Sequence, residues 1–557
     1  MKMKKLIYMV MASAVMSLTA CDKFLDVMPD NRTEIDSADK MRALLVSAYP
    51  ETDYMLLSEF VSDDVDDFGE TNPNSDRFIQ QVYNWQEITE TNNEDVEKLW
   101  GNTYLAIAVS NQVIDGILSL DESSSDNSKK DLFAVAAANN LLPEMAEALL
   151  CRAYNHFILV NMFCQQYNTQ TSDKDLGITY MDMPEQGLIP KYKRSSVKEI
   201  YDHIADDLAL ALPYVSDEYF TVPKYHFNKT AAYAFAARFY LYYEKWDESL
   251  RYADLCLGSE PSALLRDWAD QAKMTQDEDV ITEHFIDAGV KSNLLLMTAY
   301  SCMGMAFRNY FLYARYSHGN YQATNEDAIC LATMLGSNSG NFYKMPPGVY
   351  SATNMDRVIF WKLPYLFEYT DPVAQIGYRR TVYPAFTGDM VLLERAEAKI
   401  LLGKYDEAAA DMNIWLNNIS KTKWDLTPES INDLFKKMEY YKWDNSTPKK
   451  ALNPKFDFQE GIQENMLHFV LLLKKVEGLG LGTRWFDVKR YGIEIVRREM
   501  GPDGNPLKLL DVLKVDDPRR ALQIPVKVSD AGYEKNPRGK STDSEYVQKV
   551  EREPVNF

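Results

Sequence analysis

Apolar residues recur at three- and four-residue steps along much of this chain, a period that a helix turns into one buried face. Ala146, Leu150, Ala153, Phe157, Val160 and Cys164 form one such stripe, and Val197, Ile200, Ile204, Leu208 and Ala211 form another. Two further stretches read as helical hairpins. In the first, Ala232, Phe235, Phe239 and Tyr242 precede a turn at Glu244-Lys245 and the stripe Trp246, Leu250, Ala253, Leu257. In the second, Leu393, Ala396 and Ile400 precede a turn at Gly403-Lys404 and the stripe Tyr405, Ala409, Met412, Leu416.

Counted from the aromatic after each turn, the apolar offsets are the same in both hairpins: 0, 4, 7 and 11. With Gly403-Lys404-Tyr405-Asp406-Glu407-Ala408, this resembles the tetratricopeptide pattern, an aromatic at the turn and small residues where two helices touch. Unrelated amphipathic hairpins are the alternative. The two units lie 159 residues apart, so they are not a tandem array. The expected fold is therefore all-α: tetratricopeptide-like helical hairpins forming a scaffold, with long loop-rich excursions carrying the ligand site. Residues 290–386, between the hairpins, combine weak periodicity, dense aromatics and turn residues such as Gly319-Asn320 and Pro346-Pro347-Gly348. Binding groups concentrate on loops held by a rigid scaffold.

The first twenty residues are an address. A basic start, Met1-Lys2-Met3-Lys4-Lys5, runs into the apolar stretch Leu6 to Leu18, too short for a dedicated membrane span. It closes on Leu18-Thr19-Ala20-Cys21, which resembles the bacterial lipobox, where the cysteine is lipidated and begins the mature chain. The alternative is a plain signal peptide before a free periplasmic cysteine. Later stretches are not long and apolar enough for a transmembrane helix, so anchoring by lipid at Cys21 is expected, with 21–40 as the tether.

Sixty basic against 82 acidic residues give a net charge of −22, which repels a phosphate backbone; nucleic acid is not an expected partner. Beyond Cys21 five cysteines remain, an odd number in an oxidising compartment. Cys151 and Cys164 sit on one predicted helix about 20 Å apart, too far to bridge, and all five read as buried thiols. The six histidines are scattered without His-Glu-x-x-His spacing, and Gly478-Leu479-Gly480-Leu481-Gly482 follows a helical stripe rather than a strand, so neither zinc nor a dinucleotide is implied. No cofactor, metal site or catalytic residue is expected. Asp63-Asp64-Val65-Asp66-Asp67-Phe68-Gly69-Glu70 places Phe68 and Ser75 where an EF-hand needs oxygen ligands. It reads as a solvated acidic loop, with an irregular calcium site as the alternative.

Tyrosine is overabundant at 35, beside 24 Phe and 9 Trp, and aromatics in loops suit ligands with apolar faces and hydroxyl rims. Two clusters qualify. One runs from Arg77 and Phe78 through Tyr83 to Trp85; the other spans 310–350 and includes Tyr313, Tyr316, Tyr321, Phe342 and Tyr343. For any single ring, core packing is the competing reading.

The chain resembles the SusD/RagB-like family of outer-membrane nutrient-uptake lipoproteins of the Bacteroidetes, through pieces that occur in order. After the lipobox come Ser62-Asp63-Asp64, Trp100-Gly101-Asn102-Thr103-Tyr104 with Asn111, Glu147-Ala148 with Arg152-Ala153, and Arg194-Ser195-Ser196-Val197 with Asp207-Leu208. Asn228-Lys229-Thr230-Ala231-Ala232 opens the first hairpin, and Glu394-Arg395-Ala396-Glu397-Ala398 the second. Arg484-Trp485-Phe486-Asp487 and Ile524-Pro525 follow near the end; Leu481-Gly482-Thr483 replaces the family's usual Glu-Gly before that block, with Glu477-Gly478 four residues earlier. Trp485 and Phe486 read as core, and Asp487 with Arg490 as a local pair. The resemblance implies a signal peptide (1–20), a lipid-anchored tether (21–40), an N-terminal helical region (41–260) and a C-terminal region (261–557) containing the ligand lobe and the second hairpin at 388–418. It implies a non-enzymatic, surface-exposed outer-membrane lipoprotein that captures a glycan and passes it to a SusC-like TonB-dependent transporter. A peptide ligand is the alternative within the family, and a lipoprotein enzyme on a helical-repeat scaffold the alternative outside it.

Overall fold

The stripe that begins at Ala146 belongs to a helix with almost no exposed side. The computed structural model describes residues 35–538 apart from 73–75, 92–93, 185–191, 309–313 and 344–356. The signal segment, Cys21, Tyr310, Tyr313 and Tyr350 lie outside the described residues. Three short helices, α1 (Ala38–Leu45), α2 (Met55–Val61) and α3 (Arg77–Tyr83), lead into three long ones: α4 (Val96–Ser119), α5 (Leu142–Phe163) and α6 (Val197–Ala211). Helix α5 lies between α4 and α6 and is buried from Glu144 to Phe163.

A helix buried all round must find partners for most of the polar groups it carries. Arg152 does so with a two-pronged pair to Asp207 of α6 (2.9 and 2.6 Å) and a bond to Asn111 Oδ1 of α4 (3.0 Å). Three residues of the family signature thus tie three helices together. His156 donates from Nδ1 to the Arg152 carbonyl (2.8 Å), while Nε2 accepts from Met181 N–H (3.0 Å); burial pushes its pKa down to about 3. Helix α6 starts at a capping box, in which Ser196 and Glu199 satisfy each other's backbone N–H, and its predicted stripe is fully buried.

Both predicted hairpins are present. Helices α7 (Lys229–Tyr242) and α8 (Trp246–Leu257) form the first, α9 (Gly388–Leu401) and α10 (Tyr405–Ile419) the second, and α9 packs on both helices of the first. The corner of the second needs φ +75° at Gly403, whereas Glu244 takes φ +58° at the equivalent place in the first. Ion pairs join them: Arg238 meets Glu394 in the interior (2.6 Å), and Arg395, held inside its own hairpin by Asp411 (2.7 Å), reaches the exposed Asp254 of the first (2.9 Å). Helices α11 (Pro428–Lys436), α12 (Ile462–Gly478) and α13 (Arg484–Arg490) complete the scaffold. Glu397 of α9 takes Lys474 of α12 (2.7 Å) and Arg490 of α13 (2.8 Å). Trp485 and Phe486 are core and Arg490 reaches Asp487 (3.3 Å), as read from the sequence.

The all-α expectation requires correction, because the molecule is helix-rich but contains two small sheets. One has the order β3-β1-β6-β7, from β1 (Asp66–Asp67), β3 (Tyr316–Ser317), β6 (Ile495–Met500) and β7 (Pro506–Leu513). The other is antiparallel, β2-β5-β4, from β2 (Asn293–Tyr300), β4 (Leu366–Asp371) and β5 (Ile376–Thr387). Strand β2 escaped notice because Asn293 to Met297 is buried on both faces and shows no alternation; β1 and β3 are two residues each. Of the five described cysteines, Cys151, Cys164, Cys256 and Cys330 are buried free thiols, but Cys302 is half-buried. Trp246 is likewise half-buried rather than core, packing edge-on against Phe456. Among the described residues no helix is long and apolar enough to cross a membrane.

Removing one partner of a buried pair strands the other charge. Arg152→Met is therefore expected to cost about 3–5 kcal/mol of unfolding free energy, measured by urea denaturation, by leaving Asp207 unpaired among α4, α5 and α6.

Candidate ligand-binding face

After α2 the chain runs extended through the acidic segment, and none of its four aspartates is solvated. Asp63 receives Arg484 through both oxygens (2.8 and 3.0 Å) and Lys450 (2.7 Å). Lys450 continues to Glu326 (3.0 Å), which takes Arg498 (2.7 Å), and Arg498 pairs with Asp66 (2.9 and 3.0 Å). Asp64 faces Lys475 (3.3 Å), whose other neighbour is Asp327 (3.6 Å), itself beside His318 (3.3 Å). Asp67 holds Arg315 by a bidentate pair (2.7 and 2.8 Å). The solvated-loop reading is therefore corrected: these carboxylates neutralise cations that arrive from the distant C-terminal half. Burial opposes ionisation throughout, yet Arg484 and Lys450 hold Asp63 well below the usual carboxylate range, and Lys450 with Arg498 holds Glu326 at about 2. Asp64 goes the other way, its pKa raised by burial with Asp63 beside it, against the pull of Lys475. Glu59 does so too. Burial, with Asp64 beside it, pushes it up to about 8, although both its oxygens accept backbone N–H bonds, from Gly480 and Gly482 (2.9 Å each).

On this base β1 pairs with β3 and β6, with Asp67 opposite Tyr316 on one side and Glu499 on the other. The two aromatic clusters of the sequence meet here: the Tyr83 and Tyr316 rings lie 4.5 Å apart. Both are buried. So are Phe78, Trp85 and Phe342, and the expectation that these five rings stand open for stacking is corrected. Trp85 is 6% exposed and is a structural anchor. Its indole N–H donates to the Val61 carbonyl (3.0 Å), and its ring lies beside Arg497 (4.2 Å) and Arg519 (5.4 Å). It holds this place at φ +52°, a backbone conformation a bulky residue adopts only under constraint. Arg497 is itself fully buried and donates to the carbonyls of Tyr83, Ser62 and Phe60 (2.7–2.8 Å). Burial draws its pKa down to about 10.

Of the remaining candidates, Arg77 is exposed with a loose pair to Glu90 (3.2 Å), and Tyr321 is half-buried with Arg498 over its ring at 5.0 Å. Tyr343 is half-buried but sits elsewhere, where its N–H bonds Ile419 at the end of α10 and Phe342 bridges Ser420. Tyr313 is outside the described residues. Sequence reasoning missed Phe68, Asn72 and Arg357. The Arg357 guanidinium lies 3.1 Å over the Phe68 ring and donates to Asn72 Oδ1 (3.2 Å), so two segments 285 residues apart share one rim. The acidic run drew attention to charge there and away from the aromatic within it. The arrangement offers Arg, Asn and Glu side chains of mixed sign around partly open rings, above a base fixed by buried pairs. Such a rim can give and take many neutral hydrogen bonds.

Residues 23–241 match the SusD-like_3 family, described as "Starch-binding associating with outer membrane". No curated protein matches. Among solved structures the chain is similar to a SusD superfamily protein from Bacteroides thetaiotaomicron VPI-5482 (17% identity, covering 90% of this chain and 99% of that one, TM-score 0.61). It is also similar to a SusD superfamily protein from Bacteroides fragilis (16%, 90% and 99%, TM-score 0.58) and to a SusD-like carbohydrate binding protein from Bacteroides vulgatus ATCC 8482 (14%, 88% and 96%, TM-score 0.53). The chain shares the fold of these SusD superfamily structures, and its residues 23–241 match a SusD-like family model.

Because Trp85 packs rather than stacks, Trp85→Ala is expected to lose about 3–5 kcal/mol of stability, visible as a large drop in melting temperature. Arg77→Ala, on the exposed rim, should stay within about 0.5 kcal/mol of the parent in the same melts.

Proposed function

We propose that this protein is a non-enzymatic outer-membrane lipoprotein, anchored through Cys21 and exposed at the cell surface, that captures a glycan and hands it to a SusC-like TonB-dependent transporter. The helical hairpins serve as a tetratricopeptide-like scaffold, with 41–260 as an N-terminal helical region and 261–557 as a C-terminal region that contains both the ligand lobe (290–386) and the second hairpin (388–418). The observation that carries the reading is the family match over residues 23–241, whose description couples starch binding to the outer membrane. The mixed-sign rim of Phe68, Asn72, Arg315 and Arg357 supports it, since a neutral polyhydroxyl ligand needs donors and acceptors without a dominant charge, and Arg77 and Tyr321 are the accessible candidate contacts that the sequence adds.

Calorimetric titration of the 22–557 chain with malto-oligosaccharides, other glycan oligomers and peptides tests it. Arg77→Ala and Tyr321→Ala are expected to weaken the bound glycan by about 5- to 150-fold, corresponding to roughly 1–3 kcal/mol per lost contact, with melting temperatures little changed. Binding of peptides alone moves the protein to the peptide-capturing reading, and hydrolysis of any glycan overturns the non-enzymatic one. Cys21→Ala is expected to release the protein from outer-membrane fractions of cells lacking the transporter, because two acyl chains hold where the bare chain does not. Full retention of that variant would remove the anchor from the proposal.

A further inference from the structure

Away from the aromatic face, α1, the first turn of α5 and residues 216–226 enclose a cleft of about 240 Å³. The hollows beside Trp85 and beside Lys450 measure about 20 Å³ each, which suits a water; this one has room for a ligand of many atoms. Two carboxylates one helical turn apart, Glu144 and Glu147, line it. Both are nearly fully buried. Arg42 approaches Glu144 with Nε (2.7 Å) and a terminal nitrogen (2.6 Å), but both contacts fall on Oε1. Glu144 Oε2 is buried and has no hydrogen-bond partner. Oε1 of Glu147 accepts from Tyr49 O–H (2.8 Å) and meets His226 Nδ1 (2.8 Å).

The aromatic wall is built as firmly. Phe220 stacks parallel on His226 with centroids 4.4 Å apart, and Arg42 lies 3.6 Å over the ring of Tyr219, which is 41% exposed. Arg42 also reaches Asp39 (3.4 Å), so the one guanidinium of the cleft is shared among several acids. The balance is an excess of negative charge, an unpartnered carboxylate oxygen and an aromatic rim.

We infer that this cleft is a second binding site, separate from the proposed glycan face, for a small ligand bearing an organic ammonium group. The ammonium would donate to Glu144 Oε2, offsetting a buried acceptor that this chain leaves unpaired, while the ligand's body lies against Tyr219 and Phe220. A neutral hydroxyl donates to the same oxygen but leaves the charge excess in place. The ammonium has two chemical sources, an amino sugar or the side chain of a lysyl peptide.

Titration of the mature chain with D-glucosamine, D-glucose and Nα-acetyl-lysine amide, followed by calorimetry and by competition between the two amines, tests the inference. Binding of either amine with at least about 10-fold preference over glucose is expected, and the tighter of the two names the source. Tyr219→Ala, an exposed position, and Glu144→Gln, which can still accept from Arg42, are each expected to weaken the amine by about 10-fold or more. Glucose binding as tightly as glucosamine, neither amine binding, or wild-type amine affinity in Tyr219→Ala overturns it. None of these outcomes bears on glycan capture, which is read with Arg77→Ala and Tyr321→Ala.

Discussion

The pairing of Asp63 with Arg484, 421 residues away, anchors a chain of charges on which the rest of the structure depends. Arg484, Asp63, Lys450, Glu326, Arg498 and Asp66 follow one another in alternating sign, and Lys475 branches from them to Asp64 and Asp327. Each ion is stripped of water, a cost of several kcal/mol that only close, complete pairing offsets. Five carboxylates stand against four permanent cations, and against the cost of burial Asp327 raises the pKa of His318, so the imidazole approaches the role of a fifth. An arrangement this nearly neutral tolerates burial; any member taken singly would not.

Its position decides what it organises. The segment 59–67 lies early in the chain, its partners lie at 315–327, 450, 475, 484 and 498, and β1, β3 and β6 assemble where they meet. Glu59 extends the grip to the turn after α12, where Gly482 at φ +67° comes so near α2 that a Cβ would fall 2.7 Å from the Met55 backbone. The loops that carry the proposed binding rim therefore spring from roots that the buried pairs already fix. A site whose supports are ordered in advance spends less of its contact energy on ordering them.

The same logic explains which parts of the molecule were legible in the sequence. Stripes at 146–164 and 197–211 and both hairpins follow from local periodicity, because a helix repeats its environment every turn. Arg152, Asp207, Glu394, Arg395, Glu397 and Asp487, which carried the family resemblance, are buried ties between elements. Charge that must be paired inside a core constrains its neighbours more tightly than an apolar residue does, so these positions register as motifs and identify the fold. What stayed illegible depends on partners hundreds of residues away. The acids at 63–67 look like a solvated run until Arg484, Lys450, Arg498 and Arg315 are placed beside them. Trp85 and Tyr83 look like loop aromatics until Arg497 is placed under both rings, at 4.2 and 4.0 Å.

Fold and ligand preference are accordingly written in different residues. Buried ion pairs and caged arginines hold the scaffold, and the fold is shared with structures only 14–17% identical to this chain. Arg77 is exposed and Asn72 and Tyr321 are half-buried, so under the proposed function substitution there would alter binding at small cost in stability. The buried rings beneath them obey the opposite rule: they shape the rim by position and cannot be exchanged without disturbing the base. On the proposed reading, specificity would be set by which side chains emerge from the β1–β3–β6 base, and that base is fixed by electrostatic pairing that does not depend on a ligand.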